Sequence, residues 1–384
     1  MTQLRLTRRK LLVSGSALAI ATACGGTAAP TATGTAAATG AAASGTATAK
    51  TNAALQAIID KAKNAEGAQI TLTWANYYGA GMAKDFLALF SSTYGFDAKV
   101  TNTPTNMSTD APAIIQQFKA NRPASTDVFM CTDLLAFQLE RDGPKVGEEV
   151  DWSFSETIAA NPKVLEHNFA VHILDTPRGI TYNRDRLKGA DVPKSMADVL
   201  QLSTKYAVAS TPQASLFETL AVPDIWGEQK TIDYVTKLSK NLKGLIQGNE
   251  LDRISSGEFD MLAIDFGKNV AQLRTNQGQP IGWSFPSDAP VLSAIYNVIP
   301  KNAVHPNMAR LWINLITSRE GQQVLYKNEF VDSPRLPGSK TAEDVKALEA
   351  QGFKVYATNL DFAAKNQDAY ARLRPILQKI IATR

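Results

Sequence analysis

Cysteine is almost absent from this 384-residue chain: there are two, Cys24 and Cys131. If the chain is processed at Cys24, one thiol remains in the body and no internal disulfide can form. Cys131 lies in the apolar run Val128-Phe129-Met130-Cys131 and reads as a small buried hydrophobe. Histidine is scarce too, with His167, His172 and His305 alone. The first two are five apart, not the four of a helical zinc pair, so no metal site of that kind is expected. There is no Gly-x-Ser-x-Gly elbow and no phosphate loop, and Gly79-Ala80-Gly81 lacks the third glycine of a dinucleotide fingerprint. No cofactor is expected, and these enzyme signatures are missing.

A long apolar run is also missing. The longest near the start, Leu11 to Ala23, has about 13 residues, whereas a bilayer-spanning helix needs roughly 20. Its length suits the core of a signal peptide. Arg8-Arg9 stands directly before it, as in a Tat-type signal, which exports folded chains. The run ends Ala21-Thr22-Ala23-Cys24. Small residues before a cysteine resemble the lipobox of bacterial lipoproteins, although Ala21 stands where that pattern usually has Leu. The resemblance implies cleavage before Cys24 and a lipid on its sulfur.

Residues 25–51 hold Ala, Thr, Gly and Ser with one proline and Lys50, no aromatic residue and no periodicity. Such a segment buries too little apolar surface to offset its ordering entropy, so residues 24–51 are expected to be a flexible tether behind the signal at 1–23. Net charge is lacking as well. Without Arg5, Arg8, Arg9 and Lys10 the chain carries 36 basic and 36 acidic residues. The excess positive charge belongs to the signal, and nothing suggests a nucleic-acid surface.

The body after residue 52 alternates strand and helix patterns. Ile70, Leu72 and Trp74 share one side of a strand; further strands are expected at 98–102, 127–131, 179–183, 206–210, 261–264 and 292–299. Helical stripes fall between them, and the last shows Tyr370, Leu373, Ile376, Leu377, Ile380 and Ile381. The stretch 143–175 gives no clear pattern, and no internal repeat is seen. Alternating β and α predicts an α/β fold with parallel strands covered by helices, and the length suits two lobes.

Four groups of residues then show a resemblance. They are Asp127-Val128-Phe129-Met130; Arg178-Gly179-Ile180-Thr181-Tyr182-Asn183 with Val192-Pro193-Lys194-Ser195; Ser256-Gly257-Glu258-Phe259-Asp260; and His305-Pro306-Asn307-Met308 with Ser318-Arg319-Glu320-Gly321-Gln322. In this order and spacing the body resembles the extracellular solute-binding proteins of ABC importers, in the branch that includes ferric-ion, thiamine, polyamine and phosphonate receptors. The resemblance implies a two-lobed, periplasmic-binding-protein-like fold of type II, with two crossovers and a ligand cleft between lobes. Lobe 1 would be 68–176 with 290–335, and lobe 2 would be 177–289 with 336–384. It implies a monomer that captures a small polar solute and hands it to a membrane permease. With the lipid anchor, the protein would sit on the outer face of the cytoplasmic membrane. An anchored enzyme or a ligand sensor on the same scaffold is the alternative.

In open α/β sheets ligands sit beyond the carboxyl ends of strands. That rule selects Tyr77 and Tyr78 in the first loop, Asp133, the turn with Thr211 and Gln213, and Asp265. Arg178, at the crossover, is either a clamp for a carboxylate or phosphate or an interlobe bridge. Thr211 either helps bind an anion or caps a helix. The position where ferric receptors carry two adjacent tyrosines reads Asp265-Phe266-Gly267-Lys268 here, so those iron ligands do not carry over.

Overall fold

A computed structural model describes residues 53–74, 80–104, 109–141, 145–213, 215–247, 250–265 and 268–383. The expected signal and tether, Cys24, Tyr77 and Tyr78 lie outside the described residues.

Among the described residues, twelve strands form two sheets. They are β1 (Gln69–Trp74), β2 (Lys99–Pro104), β3 (Val128–Thr132), β4 (Leu165–Glu166), β5 (Ala170–Pro177), β6 (Gly179–Asn183), β7 (Val208–Ser210), β8 (Gly244–Leu245), β9 (Met261–Asp265), β10 (Ile281–Ser284), β11 (Val291–Val298) and β12 (Tyr356–Ala357). The first sheet runs β2-β1-β3-β11-β5-β4, with β12 also paired to β11; the second runs β10-β6-β9-β7-β8. β1, β2 and β3 are parallel, and β11 returns antiparallel between β3 and β5. In the second sheet β7, β8 and β9 are parallel, and β6 runs against β9. The fold is therefore two-lobed α/β, and the chain passes between sheets at Pro177–Gly179 and again between Ser284 and Val291.

Each sheet buries both faces. On one face of the first, Trp74 and Phe86 meet Trp312 edge-on, centroids 5.6 and 4.6 Å apart, and Phe90 packs against it at a tilt. On its other face Ala294, Tyr296 and Val298 meet helix Asp133–Arg141 through Ala136 and Leu139. The second sheet packs Ile180, Val208, Met261 and Ala263 against Phe217, Tyr234, Val235 and Leu238. Helix Leu360–Ala382 belongs to both bodies of core: Leu360 packs with the first sheet's cluster, and Leu373, Leu377 and Ile381 with the second's. Ile376, expected inward with that stripe, is 41 % exposed. It lies one residue before Leu377 in the buried series 370, 373, 377, 381 and so falls on the flank of the helix.

The short sequence patterns singled out above have structural causes. Asp127, almost fully buried, accepts from the Thr71 and His305 backbone N–H groups at 2.7 Å each and from the His305 ring at 2.9 Å. It ties the start of β3 to β1 and to the start of helix Pro306–Thr317. Ser318 caps helix Arg319–Glu329 through Gly321 N–H. A side chain at Gly321 would meet the Leu315 carbonyl at 1.9 Å, which explains glycine there. Gln322 donates to the Ile173 and Ile316 carbonyls and accepts from Ser333 N–H. Gly257 takes φ +79°, and Asp260 accepts from Ala207 N–H at 2.7 Å and Arg186 at 3.0 Å.

Candidate functional site

β5 leads directly into β6, and β6 starts at the edge of the second sheet where β7 and β9 end. β11 starts at the edge of the first sheet where β3 and β5 end. The carboxyl ends of the parallel strands in both sheets are thereby turned toward one junction, and the residue in the middle of that junction is Arg178.

Arg178 is buried. Its backbone N–H donates to the Val291 carbonyl, its Nε donates to Ser293 Oγ at 2.6 Å, and its Nη1 donates to the Leu216 carbonyl at 3.1 Å. Ser293 belongs to the first sheet and Leu216 to helix Ser215–Glu218 over the second, so one guanidinium touches both lobes. Burial pulls its pKa down, opposed by the electrostatic pull of Tyr370, Asp133 and Glu218.

Asp133 follows the end of β3 as the first residue of its helix and is buried close to Arg178. Burial pushes its carboxyl up to about 6; the Arg178 charge, the Leu134 N–H and the Thr358 hydroxyl pull it back. Thr358 itself accepts from Ala294 N–H, so the strand end, the helix start and the segment entering the last helix meet here. Asp265 closes β9, is buried, and stands opposite Gly179 in the β6–β9 pairing. Thr211, just beyond β7, is buried and donates its hydroxyl to the Gln213 carbonyl at 3.1 Å. Gln213 is exposed and donates to the Gln247 side chain at 2.9 Å. The structure thus brings Asp133, Arg178 and Asp265 to the junction. It places Thr211 and Gln213 in a turn at the second sheet's edge.

Two buried residues at the same seam escaped the sequence reading. Glu329 ends helix Arg319–Glu329, and Asn269 is the second residue of helix Lys268–Asn276. Asn269 Nδ2 donates to Glu329 Oε2 at 3.2 Å across the lobes. The available signal was an acid at the C-terminal end of a predicted helix, where the macrodipole disfavours it.

A junction of this kind, with polar side chains buried between two α/β lobes, defines a solute-receptor scaffold. Residues 167–366, more than half of the chain, match the model of the bacterial extracellular solute-binding protein family, and the chain belongs to that family. Family membership places it outside the cytoplasm. Solved structures share the fold. The substrate-binding protein of an ABC transporter from Agrobacterium tumefaciens aligns with a TM-score of 0.67 at 17% identity, covering 82% of this chain and 96% of its own. Iron-bound HitA from Pseudomonas aeruginosa aligns at 0.62 and 18%, covering 82% and 99%. AfuA from Actinobacillus pleuropneumoniae, with fructose-6-phosphate bound, aligns at 0.62 and 19%, covering 82% and 98%. No curated protein sequence is matched by this chain.

Proposed function

We propose that this solute-binding protein is the receptor of an ABC importer, which captures a small polar solute between its lobes and delivers it to a membrane permease. The observation that carries this reading is the junction at Arg178, toward which the strand ends of both sheets turn. A receptor must contact its ligand from both lobes if binding is to favour closure, because a ligand shifts an equilibrium only by its differential affinity. Asp133 from one lobe and Thr211, Gln213 and Asp265 from the other supply acceptors and donors of mixed kind. Tyr77 and Tyr78, outside the described residues, would add aromatic faces in this reading. Arg178, held by Ser293 and Leu216, serves in this reading as the fixed positive charge at the back of the cleft.

The lobe limits near 176/177 and 289/290 follow the passages from β5 to β6 and from β10 to β11. Residues 336–384 make contacts in both cores. The lipid on Cys24 and export through Arg8-Arg9 complete the proposal: a monomeric receptor anchored to the outer face of the cytoplasmic membrane. Among the described residues no helix is long and apolar enough to cross a membrane.

The test is mass spectrometry of small molecules carried by the exported protein, followed by uptake of the identified compound in cells lacking it. Loss of uptake supports the receptor reading. Chemical turnover of the compound by the purified protein would overturn it in favour of an enzyme, and normal uptake with no bound solute would overturn it outright.

A further inference from the structure

Helix Leu360–Ala382 is gripped by both lobes. Its second half is set in the second lobe: Leu373, Leu377 and Ile381 lie in that core, and Arg374 donates to buried Glu218 at 2.9 and 2.6 Å. Its first turns are held by the first lobe. Leu360 packs with the first sheet's cluster and donates its N–H to Glu166, in β4, at 2.7 Å. Arg141, on helix Asp133–Arg141, donates to Gln367 at 2.6 Å. A continuous helix does not stretch, so rotation of one lobe against the other must loosen one of its ends. Three apolar side chains are buried in the second core against one in the first. The larger burial is the stronger hold, and the first turns are the end that gives.

A further hold on that end is His167. Its ring stands between two carboxylates: Nδ1 lies 2.6 Å from Glu140 Oε2, on a first-lobe helix, and Nε2 lies 3.1 Å from Asp361 Oδ1, in the first turn of the last helix. An ionised carboxylate accepts hydrogen bonds and offers none, while a neutral imidazole carries a single N–H. Only the imidazolium makes both contacts. The turn between β4 and β5 sets the ring there: His167 and Asn168 take φ +49° and +62°, and Phe169 N–H closes on the Glu166 carbonyl at 3.2 Å. The remaining charges nearby are engaged with one another. Lys145 Nζ donates to the His167 carbonyl and reaches Glu140 at 3.6 Å and Glu149 at 2.8 Å. Glu166 is bound by Tyr296 and Arg335 besides Leu360. Burial of the ring disfavours the imidazolium, but the bonds to Glu140 and Asp361 outweigh it and hold its pKa above the ordinary histidine value.

We propose that His167 is a proton-operated clamp between the lobes, which grips the last helix through Asp361 in acid and releases it when the ring loses its proton. The inference rests on the two-lobe receptor reading. The neutral ring keeps Glu140, the closer partner and a residue of its own lobe. It gives up Asp361, whose side chain is 87 % exposed and is hydrated at once. The Asn269–Glu329 contact across the seam marks the clamped arrangement as the closed one. Protonation thus favours closed lobes. The hold is complete below about pH 6.5, the ordinary histidine value, and is lost as pH rises through the raised one. A receptor that closes more readily binds its solute more tightly, so capture strengthens in acid.

The test uses the full chain with Cys24→Ala, spin-labelled at Lys84→Cys on helix Ala80–Tyr94 and Lys237→Cys on helix Glu228–Ser239. Cys131 is buried and takes no label. Pulsed EPR reads the interlobe distance at pH 5.5 and 8.5, both about pH values chosen to bracket the histidine range, in solute-free protein of unchanged circular dichroism. The long-distance population is expected to rise about two- to fivefold on going to the alkaline buffer, the factor a partly exposed ion pair supplies. Asp361→Ala, at an exposed position, should show the alkaline population in both buffers, and His167→Gln should do the same. With three histidines in the chain, NMR resolves the ring signals, and the His167 pKa should fall in Asp361→Ala. An unchanged His167 pKa in that variant overturns the clamp. A pH response that survives Asp361→Ala belongs to other groups, Asp133 or His172, and overturns it too. So does a parent distance that ignores pH while Asn269→Trp, a wedge in the seam, lengthens it. If neither pH nor the wedge moves the distance, the lobes do not hinge, and the receptor reading fails together with the clamp.

Discussion

Arg178 Nε donates to Ser293 Oγ at 2.6 Å, one residue after the chain leaves the first sheet and inside the first strand pair of the lobe junction. Ser293 is fully buried in β11, so the arginine is anchored by the strand that itself brings the chain back from the second lobe. The same side chain donates to the Leu216 carbonyl. An arginine bound this way acts as a structural bridge through neutral acceptors while its charge still reaches Asp133.

Removing it should therefore cost stability. Arg178→Ala leaves a buried hydroxyl and a buried carbonyl without their donor and strips Asp133 of its neighbouring charge. We expect a loss of about 2–5 kcal/mol in urea unfolding. Arg178→Lys should recover little, because an ammonium cannot place two fixed donors on Ser293 and Leu216. A wild-type midpoint for Arg178→Ala would contradict the bridge.

Asp133 and His172 should give opposite pH responses. Asp133 is raised to about 6 in the folded protein, so the folded state holds its proton more tightly than the unfolded chain. Its contribution to stability is greatest below the ordinary carboxylate pKa and falls as pH rises through about 6. Asp133→Asn should stabilise the protein at pH 7.5 by on the order of 2 kcal/mol and make little difference at pH 4. His172 is fully buried, between Ser333 Oγ at 2.8 Å and Asp175 Oδ1 at 2.7 Å. Burial lowers its pKa, against the pull of Asp175. The unfolded chain therefore takes up the proton first as pH falls below about 6.5, and stability is lost with acidification. Unfolding curves of Asp133→Asn and His172→Gln between pH 4 and 8 check both slopes; slopes of the same sign would refute one assignment.

The His172 environment also explains what the sequence hid. β5 is the longest strand beside β11, yet it fell in the stretch that showed no pattern. All eight of its residues, Ala170 to Pro177, are buried. A strand covered on both faces has no alternation to read, and His172, Asp175 and Thr176 interrupt its apolar character. β1 was legible by alternation, with Ile70, Leu72 and Trp74 on one side; β3, β6, β9 and β11, buried nearly or wholly along their length like β5, were legible within a residue or two as short apolar runs next to turn residues. Strand-end geometry picked out Asp133 and Asp265, which lie at the lobe junction, and Thr211, which lies in a turn at the second sheet's edge. It gave no access to Glu329 and Asn269, because a contact between two helix ends on different lobes leaves no periodic trace in either segment.

Cys24 offers a test that needs no ligand. If the thiol carries the anchor, Cys24→Ala should move the protein from the membrane to the soluble fraction with its far-UV spectrum unchanged. Loss of a diacyl anchor is large against any residual surface attraction, since each buried methylene contributes about 0.8 kcal/mol. Persistent membrane association of the variant would refute lipidation at this position.

Gly179 provides the sharpest probe of the junction. It follows Arg178 directly, and a β-carbon there would lie 2.2 Å from the Trp283 ring. Trp283 is held in turn by pairing with Thr181 in the β6–β10 ladder and by stacking on Phe285, centroids 5.9 Å apart. Moving the indole would break its stacking on Phe285. Gly179→Ala should thus destabilise the protein by about 1–3 kcal/mol, the range for overpacking a filled site, and should shift tryptophan fluorescence. Trimming the ring in Gly179→Ala/Trp283→Leu should recover part of that loss, because the added methyl then has room. Equal destabilisation in the single and double variants would show that the strain lies in the backbone of the crossover and not in the ring above it.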